Sequence, residues 1–245
     1  MNRIAMIPAR YNASRFPGKL MQIIGDKSII RHTYDNTLAT LLFDEVIVVT
    51  DSDVIFKEIT ENGGYAIKSK KEHESGTDRI AEAAESIDAD IILNVQGDEP
   101  FIDQNALRRL LQVFDSDEEH VQVASIMKKL TEKSEIQDPN RVKVVVDSKM
   151  NSLFFSRSVI PYSRESTAIS NYYQHIGVYA FRKPALLKFT SWRLTPLEAI
   201  EKLECLRFLE MGIPIKMVLT DFVGIAIDSP DDLKKAIEYY NAFPD

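Results

Sequence analysis

One cysteine, four histidines and nine glycines occur in 245 residues, and each scarcity removes a class of function. A single thiol, Cys205, excludes an intrachain disulfide framework, and one Cys with four His excludes a Cys/His zinc site. The first strand is not followed by the glycine-rich run of a dinucleotide site, and no Lys-Ser or Lys-Thr P-loop ending occurs. No stretch approaches the roughly 20 apolar residues of a membrane span. The opening apolar run, from Ile4 to Pro8, is too short for a signal peptide, so a cytoplasmic enzyme is expected. There is no cationic excess either: 30 Lys and Arg against 37 Asp and Glu leave a net charge of −7, which argues against a general nucleic-acid binder. An anionic ligand must therefore be met by local cationic pockets.

What is present is a globular composition, 44% hydrophobic and 27% charged, sufficient to bury a large core. Short apolar runs at 4–7, 46–50 and 91–95 read as buried parallel strands, with amphipathic helices expected over 28–40, 52–62, 77–87 and 103–115. This alternation predicts an α/β fold. The texture then changes to β-rich runs at 121–127, 142–147, 151–155 and 172–181, followed by helices over 183–190 and 196–211, a strand at 215–219, and a last helix after Ser229 and Pro230. With no repeat or flexible linker, residues 1–245 are expected to form a single domain carrying a β-rich lobe at about 121–182.

Three stretches carry chemistry. Pro8-Ala9-Arg10-Tyr11 through Arg15-Phe16-Pro17-Gly18-Lys19 follows the first strand, where doubly wound sheets place their ligands. Arg10, Arg15 and Lys19 offer two guanidinium forks and a point charge, which suit a triphosphate. Asn94-Val95-Gln96-Gly97-Asp98-Glu99-Pro100 ends a buried strand with an acidic pair, and Asp228 follows a later apolar run. Hard carboxylates with few other ligands suit Mg²⁺ bridged to substrate phosphates. His73-Glu74-Ser75-Gly76-Thr77-Asp78-Arg79 leads into a helix whose exposed amides and hydroxyls suit a base or phosphate. Taken singly, these residues also read as a solvated basic loop, ordinary turn acids and plain helix caps.

Taken as an ordered set, they resemble the 3-deoxy-manno-octulosonate (Kdo) cytidylyltransferases. The resemblance is extended by Phe155-Ser156-Arg157, Ile160-Pro161-Tyr162, His175-Ile176-Gly177-Val178-Tyr179, Pro196-Leu197-Glu198, Glu201-Lys202-Leu203-Glu204 and Ile227-Asp228-Ser229-Pro230. It implies a three-layer nucleotide-diphospho-sugar transferase fold with a mostly parallel Rossmann-like sheet, a homodimer whose interface is expected in the β-rich lobe, and the reaction of CTP with Kdo to give CMP-Kdo and pyrophosphate for lipopolysaccharide synthesis. By the same implication Arg10, Arg15 and Lys19 hold the triphosphate, Asp98 and Asp228 hold Mg²⁺, and Ala9, Ser75, Thr77, Arg79 and Gln96 surround the nucleotide. Arg157, Arg164, His175, Tyr179, Glu204 and Cys205 fall on the acid-sugar pocket.

Two positions depart from the family pattern: Leu20 replaces the usual Pro after Lys19, and Cys205 replaces the usual Gln after Glu204. A thiol cannot make the two-ended hydrogen bonds of a carboxamide, so 8-amino-Kdo or another acid sugar stays open as the acceptor. A non-catalytic nucleotide-binding protein on the same fold also stays open, whereas a dehydrogenase lacks its glycine fingerprint.

Overall fold

A strand that is apolar on both faces needs cover on both, and the first run of the chain receives it. The computed structural model describes residues 1–12, 16–73, 75–115, 120–164, 171–221 and 224–242. The chain divides into two compact units, residues 1–104 with 223–245, and residues 105–222.

In the first unit β1 (Arg3–Ala9) is followed by a short 3-10 turn over Lys19–Met21 and a two-stranded hairpin, β2 (Ile23–Ile24) and β3 (Lys27–Ser28). Next come α1 (Ile29–Ala39), β4 (Glu45–Thr50), α2 (Asp53–Glu61), β5 (Ala66–Lys68), α3 (Gly76–Ala84) and β6 (Ile91–Asn94). β1 pairs in parallel with β4 and β6, and β5 pairs in parallel with β4, so the spatial order is β6-β1-β4-β5. Ile4, Ala5, Met6 and Ile7 are at most 1% exposed, and each large side chain so buried contributes about 1.5–3 kcal/mol. All three helices start from a serine. Ser28, Ser52 and Ser75 accept from the backbone amides of Arg31, Ile55 and Asp78 at 3.2, 3.4 and 3.1 Å, each cap being worth about 1 kcal/mol.

The second unit runs α4 (Gln104–Gln112), β7 (Val123–Leu130), α5 (Lys133–Gln137), β8 (Lys143–Val146), β9 (Ser152–Ser156), β10 (Tyr172–Arg182), α6 (Lys183–Ser191), α7 (Pro196–Glu201), α8 (Cys205–Glu210) and β11 (Lys216–Thr220). β10 lies antiparallel to β7 and β8, β8 antiparallel to β9, and β11 parallel to β7. The chain then returns to the first unit as α9 (Pro230–Ala242).

Two expectations are corrected, and three short strands are added. The helix expected over 77–87 spans Gly76–Ala84, because Ser75 takes the cap and Thr77, only 1% exposed, is already inside. The single helix expected over 196–211 is two, α7 and α8, broken where Lys202 adopts a left-handed φ of 55°. The break lets Glu198 on α7 meet Arg207 on α8 through two hydrogen bonds of 2.7 and 2.6 Å, a buried pair that a continuous helix would hold nine positions apart on different turns. The β2–β3 hairpin and β5 are two to three residues per strand, too short to produce a readable alternation.

Candidate active site

The carboxyl end of the parallel strands in the first unit opens into a polar cavity of about 370 Å³, the position where open α/β sheets bind ligands. Its wall includes Ala9 and Arg10 at the end of β1, Lys19 on the 3-10 turn, Ser75 and Arg79 at the start of α3, Gln96 and Asp98 after β6, and Asp228 before α9. Backbone economy brings these segments together. Gly18 takes a left-handed φ of 67° to start the turn that carries Lys19, which glycine does without steric cost. At Gly97 a Cβ would lie 3.2 Å from the Pro8 carbonyl oxygen, so a side chain there would push the β6 exit away from β1. The Gly97 carbonyl accepts from Thr33 Oγ1 at 3.0 Å, and the Asp98 carbonyl from the amide of Ile227 at 3.0 Å.

Lys19 is the hub. Its ammonium donates to Asp98 in a very short contact and to Asp228 Oδ1 at 3.1 Å. Burial alone would lower the Lys19 pKa, but the two carboxylates outweigh it and raise it, so the charge is held. At the start of α9 the neighbours of Asp228 cap the helix: Ser229 Oγ accepts from the Asp232 amide at 3.3 Å, and Asp232 accepts from the Ser229 hydroxyl at 2.7 Å. Glu99 beside them is pushed up to about 7, first by burial and then by the charges of Asp98 and Asp228. Two carboxylates on one ammonium therefore leave the site short of positive charge. Among the described residues no cluster of three or more His, Cys, Asp or Glu could hold a metal by itself, but two hard carboxylates plus substrate oxygens are the donor set Mg²⁺ uses, so the residues fit that ion.

Other wall residues play quieter parts. Arg10 is exposed at the mouth. Arg79 reaches the wall, yet its guanidinium is taken up by Asp51 at 2.9 Å, the Ala9 carbonyl at 3.2 Å and Ser69 at 3.2 Å; the Arg79 hydrogen bond and charge hold the Asp51 carboxyl below its usual range, against the opposing effect of burial. Arg79 thus braces the end of β1. Thr77 is buried and does not line the cavity. Arg15 lies outside the described residues. His73, quoted in the third stretch but given no role there, lines the cavity; it is held by Glu82, whose other oxygen accepts from the Lys70 amide at 2.7 Å. No local pattern advertises that pairing across nine residues.

In the second unit the expected sugar-side residues form two groups. His175, Tyr179 and Cys205 cluster: His175 Nε2 lies 3.0 Å from Ser125 Oγ, its ring centroid is 5.3 Å from that of Tyr179, and the Tyr179 hydroxyl is hydrogen-bonded to the Cys205 thiol. Burial drives the His175 pKa down to about 4, pushes the Cys205 thiol up to about 12 and raises Tyr179 well above its ordinary value, so all three are neutral near pH 7. Arg157 is framed separately by Glu201 and the Pro139 carbonyl. Arg164 is exposed, and Glu204 lies half-buried at the start of α8.

Residues 4–217 match the cytidylyltransferase family model. A 3-deoxy-manno-octulosonate cytidylyltransferase of Flavobacterium johnsoniae is 57% identical over 96% of this chain and 97% of its own, and one of Christiangramia forsetii is 54% identical over 96% of each. The chain belongs to the 3-deoxy-manno-octulosonate cytidylyltransferase family. The solved structure of a CMP:2-keto-3-deoxy-manno-octonic acid synthetase complexed with CTP superposes with a TM-score of 0.94 at 35% identity, covering 99% of both chains. The expected α/β fold and nucleotidyltransferase class therefore hold. A 4-diphosphocytidyl-2C-methyl-D-erythritol synthase of Anaerococcus prevotii, 15% identical with a TM-score of 0.63 over 98% of this chain, shares the fold alone. Within the family frame, Leu20 is 5% exposed under the Lys19 turn, where it supplies apolar packing in place of the stiffness of a proline.

Proposed function

We propose that the chain transfers CMP from CTP to the anomeric hydroxyl of Kdo, giving CMP-Kdo and pyrophosphate for lipopolysaccharide synthesis. The observation that carries this reading is the Lys19 ammonium held between Asp98 and Asp228 in a polar cavity at the end of β1. It combines a cation for phosphate oxygens with two carboxylates for a divalent ion. Lys19 and Arg10 meet the triphosphate, joined by Arg15, while the Ala9 backbone, Ser75 and Gln96 face the nucleoside.

The sugar hydroxyl oxygen forms a bond to the α-phosphorus as the bond from that phosphorus to the α–β bridging oxygen breaks in line, pyrophosphate departs with that oxygen and the hydroxyl proton passes to solvent; positioning and charge neutralisation lower the barrier. Asp98 and Asp228 would hold Mg²⁺, which would supply Lewis acidity and charge neutralisation when bound. Lys19 meets the negative charge growing on the leaving group. Because Asp98 and Asp228 are already paired with Lys19, they are fixed in place before a ligand arrives. No covalent intermediate is required, since Cys205 is a buried, protonated thiol.

Arg157, Arg164, His175, Tyr179, Glu204 and Cys205 receive the acid sugar. A hydroxyl-rich ligand with one carboxylate suits neutral donors and acceptors together with a guanidinium fork. A homodimer joined through the β-rich lobe and a cytoplasmic location, where CTP is supplied, complete the proposal; among the described residues no helix is long and apolar enough to cross a membrane.

The test is pyrophosphate release by purified protein with Mg²⁺, each of four nucleoside triphosphates, and Kdo or its 8-amino analogue. Release requiring CTP and Kdo together is the expected result. Release with the 8-amino analogue alone would move the acceptor, and CTP binding without release under any pairing would favour a non-catalytic nucleotide binder.

A further inference from the structure

Lys143 is an unusual lysine: it lies on β8 and is 0% exposed. A buried ammonium is costly unless its hydrogens are satisfied, and this one spends them on backbone. Its Nζ donates to the carbonyls of Asp138 at 2.8 Å and Arg141 at 2.6 Å, which ties down both ends of the turn that contains Pro139. Burial lowers its pKa, and the Asp138 charge opposes that fall.

The turn so held has a use. The Pro139 carbonyl accepts from Arg157 Nη1 at 3.1 Å, and the Glu201 carbonyl accepts from Arg157 Nε at 2.9 Å. The Glu201 carboxylate does not face the guanidinium; it accepts from Ser156 Oγ at 2.6 Å and from the Arg157 backbone amide at 3.0 Å. Ser156 is the direct cross-strand neighbour of Lys143, so the lysine and the glutamate grip Arg157 from adjoining positions. The guanidinium is thereby oriented by two carbonyls while, among the described residues, no carboxylate pairs with it. Its Nη2 edge and full charge remain for a planar anion.

We infer that Lys143 and Glu201 are positioning residues that hold Arg157 with its Nη2 edge presented to the carboxylate of the sugar acceptor. This rests on the function proposed above, and it adds that sugar affinity depends on a buried lysine that never touches substrate. A free guanidinium on a flexible stem would lose rotamer freedom on binding; one already fixed by two carbonyls does not.

The test measures pyrophosphate release with the sugar titrated at saturating CTP, and then CTP titrated at saturating sugar, for Lys143→Met, Glu201→Gln, Arg157→Ala and the double variant Lys143→Met with Arg157→Ala. Lys143→Met and Glu201→Gln are expected to raise the sugar KM about tenfold or more while leaving the CTP KM within about twofold. In the Arg157→Ala background Lys143→Met should add little, because the group it positions is gone. An unchanged sugar KM in both single variants, an equal loss of CTP affinity, or the same Lys143→Met penalty with and without Arg157 overturns the inference. Should Lys143→Met fail to fold by thermal unfolding, Glu201→Gln decides alone. A normal sugar KM in Arg157→Ala would overturn the assignment of Arg157 itself, and absence of any CTP-dependent release in the unmodified protein would overturn the underlying function, so the failures are distinguishable.

Discussion

The cavity of the first unit and the buried cluster of the second solve opposite electrostatic problems. Around Lys19 the residues are charged and mutually compensating, with Asp98 and Asp228 both paired to one ammonium and Glu99 pushed up to about 7 by burial and then by the charges of those two carboxylates. In the second unit His175, Tyr179 and Cys205 are themselves neutral, because burial pushes the imidazole pKa down to about 4 and the Cys205 thiol up to about 12, with the Glu204 charge adding to the rise of Tyr179 and Cys205. A site with surplus carboxylate suits cations and the polyanion they accompany. A buried cluster of uncharged donors and acceptors suits hydroxyls, with affinity coming from shape and hydrogen bonds; under the proposed function, charge recognition falls to Arg157.

The sharpest way to break this contrast is to remove the hub of the charged site. Lys19→Met should lower kcat/KM by roughly 10² to 10³, read in the pyrophosphate assay, and full turnover would sink the assignment. In the neutral cluster the largest conservative change should matter less. Cys205→Gln restores the residue usual in the family and is expected to shift the sugar KM by less than about tenfold, since one neutral hydrogen bond is worth about 1 kcal/mol. A loss in CTP affinity instead would show that the two regions do not divide the substrates in this way.

The smallest effect concerns stability. The Glu99 carboxyl has its folded pKa raised to about 7 from an ordinary 4.5, so the folded state holds a proton that the unfolded state has already lost. Its contribution is fully present below about pH 4.5, declines as pH rises, and has become a penalty above about 7. Glu99→Gln, measured by thermal unfolding in EDTA, should therefore raise Tm relative to the unmodified protein at pH 8 and leave it nearly unchanged at pH 4.5. The expected gain is about 2–4 °C for each kcal/mol recovered. An equal shift at both pH values would assign the effect to packing.

Much of this was legible in the residues. Apolar runs at 4–7, 46–50 and 91–95 lie within or overlap β1, β4 and β6, because strands buried on both faces must be continuously hydrophobic. Lys19 and Asp98, 79 residues apart, could be picked out because each comes after a strand at the end of the sheet where ligands bind; Asp228, a further 130 residues on, reads by itself as a helix cap and joined them through the family resemblance. The division of α7 from α8 could not be read, because it depends on Glu198 meeting Arg207. Nor could the role of Arg79, which looks like a phosphate ligand until Asp51, 28 residues earlier, claims it.

Periodicity, caps and charged residues are properties of neighbouring positions, and they sufficed for the α/β alternation, the serine helix starts and the candidate site residues. Which charges compensate one another is a property of distance in space. Tertiary structure alone decided that Lys19 bridges two carboxylates, that Glu99 is raised to about 7, and that buried Lys143 braces the turn supporting Arg157. Coulombic and desolvation effects fall on whichever groups the fold packs together, and the chain order does not contain those separations.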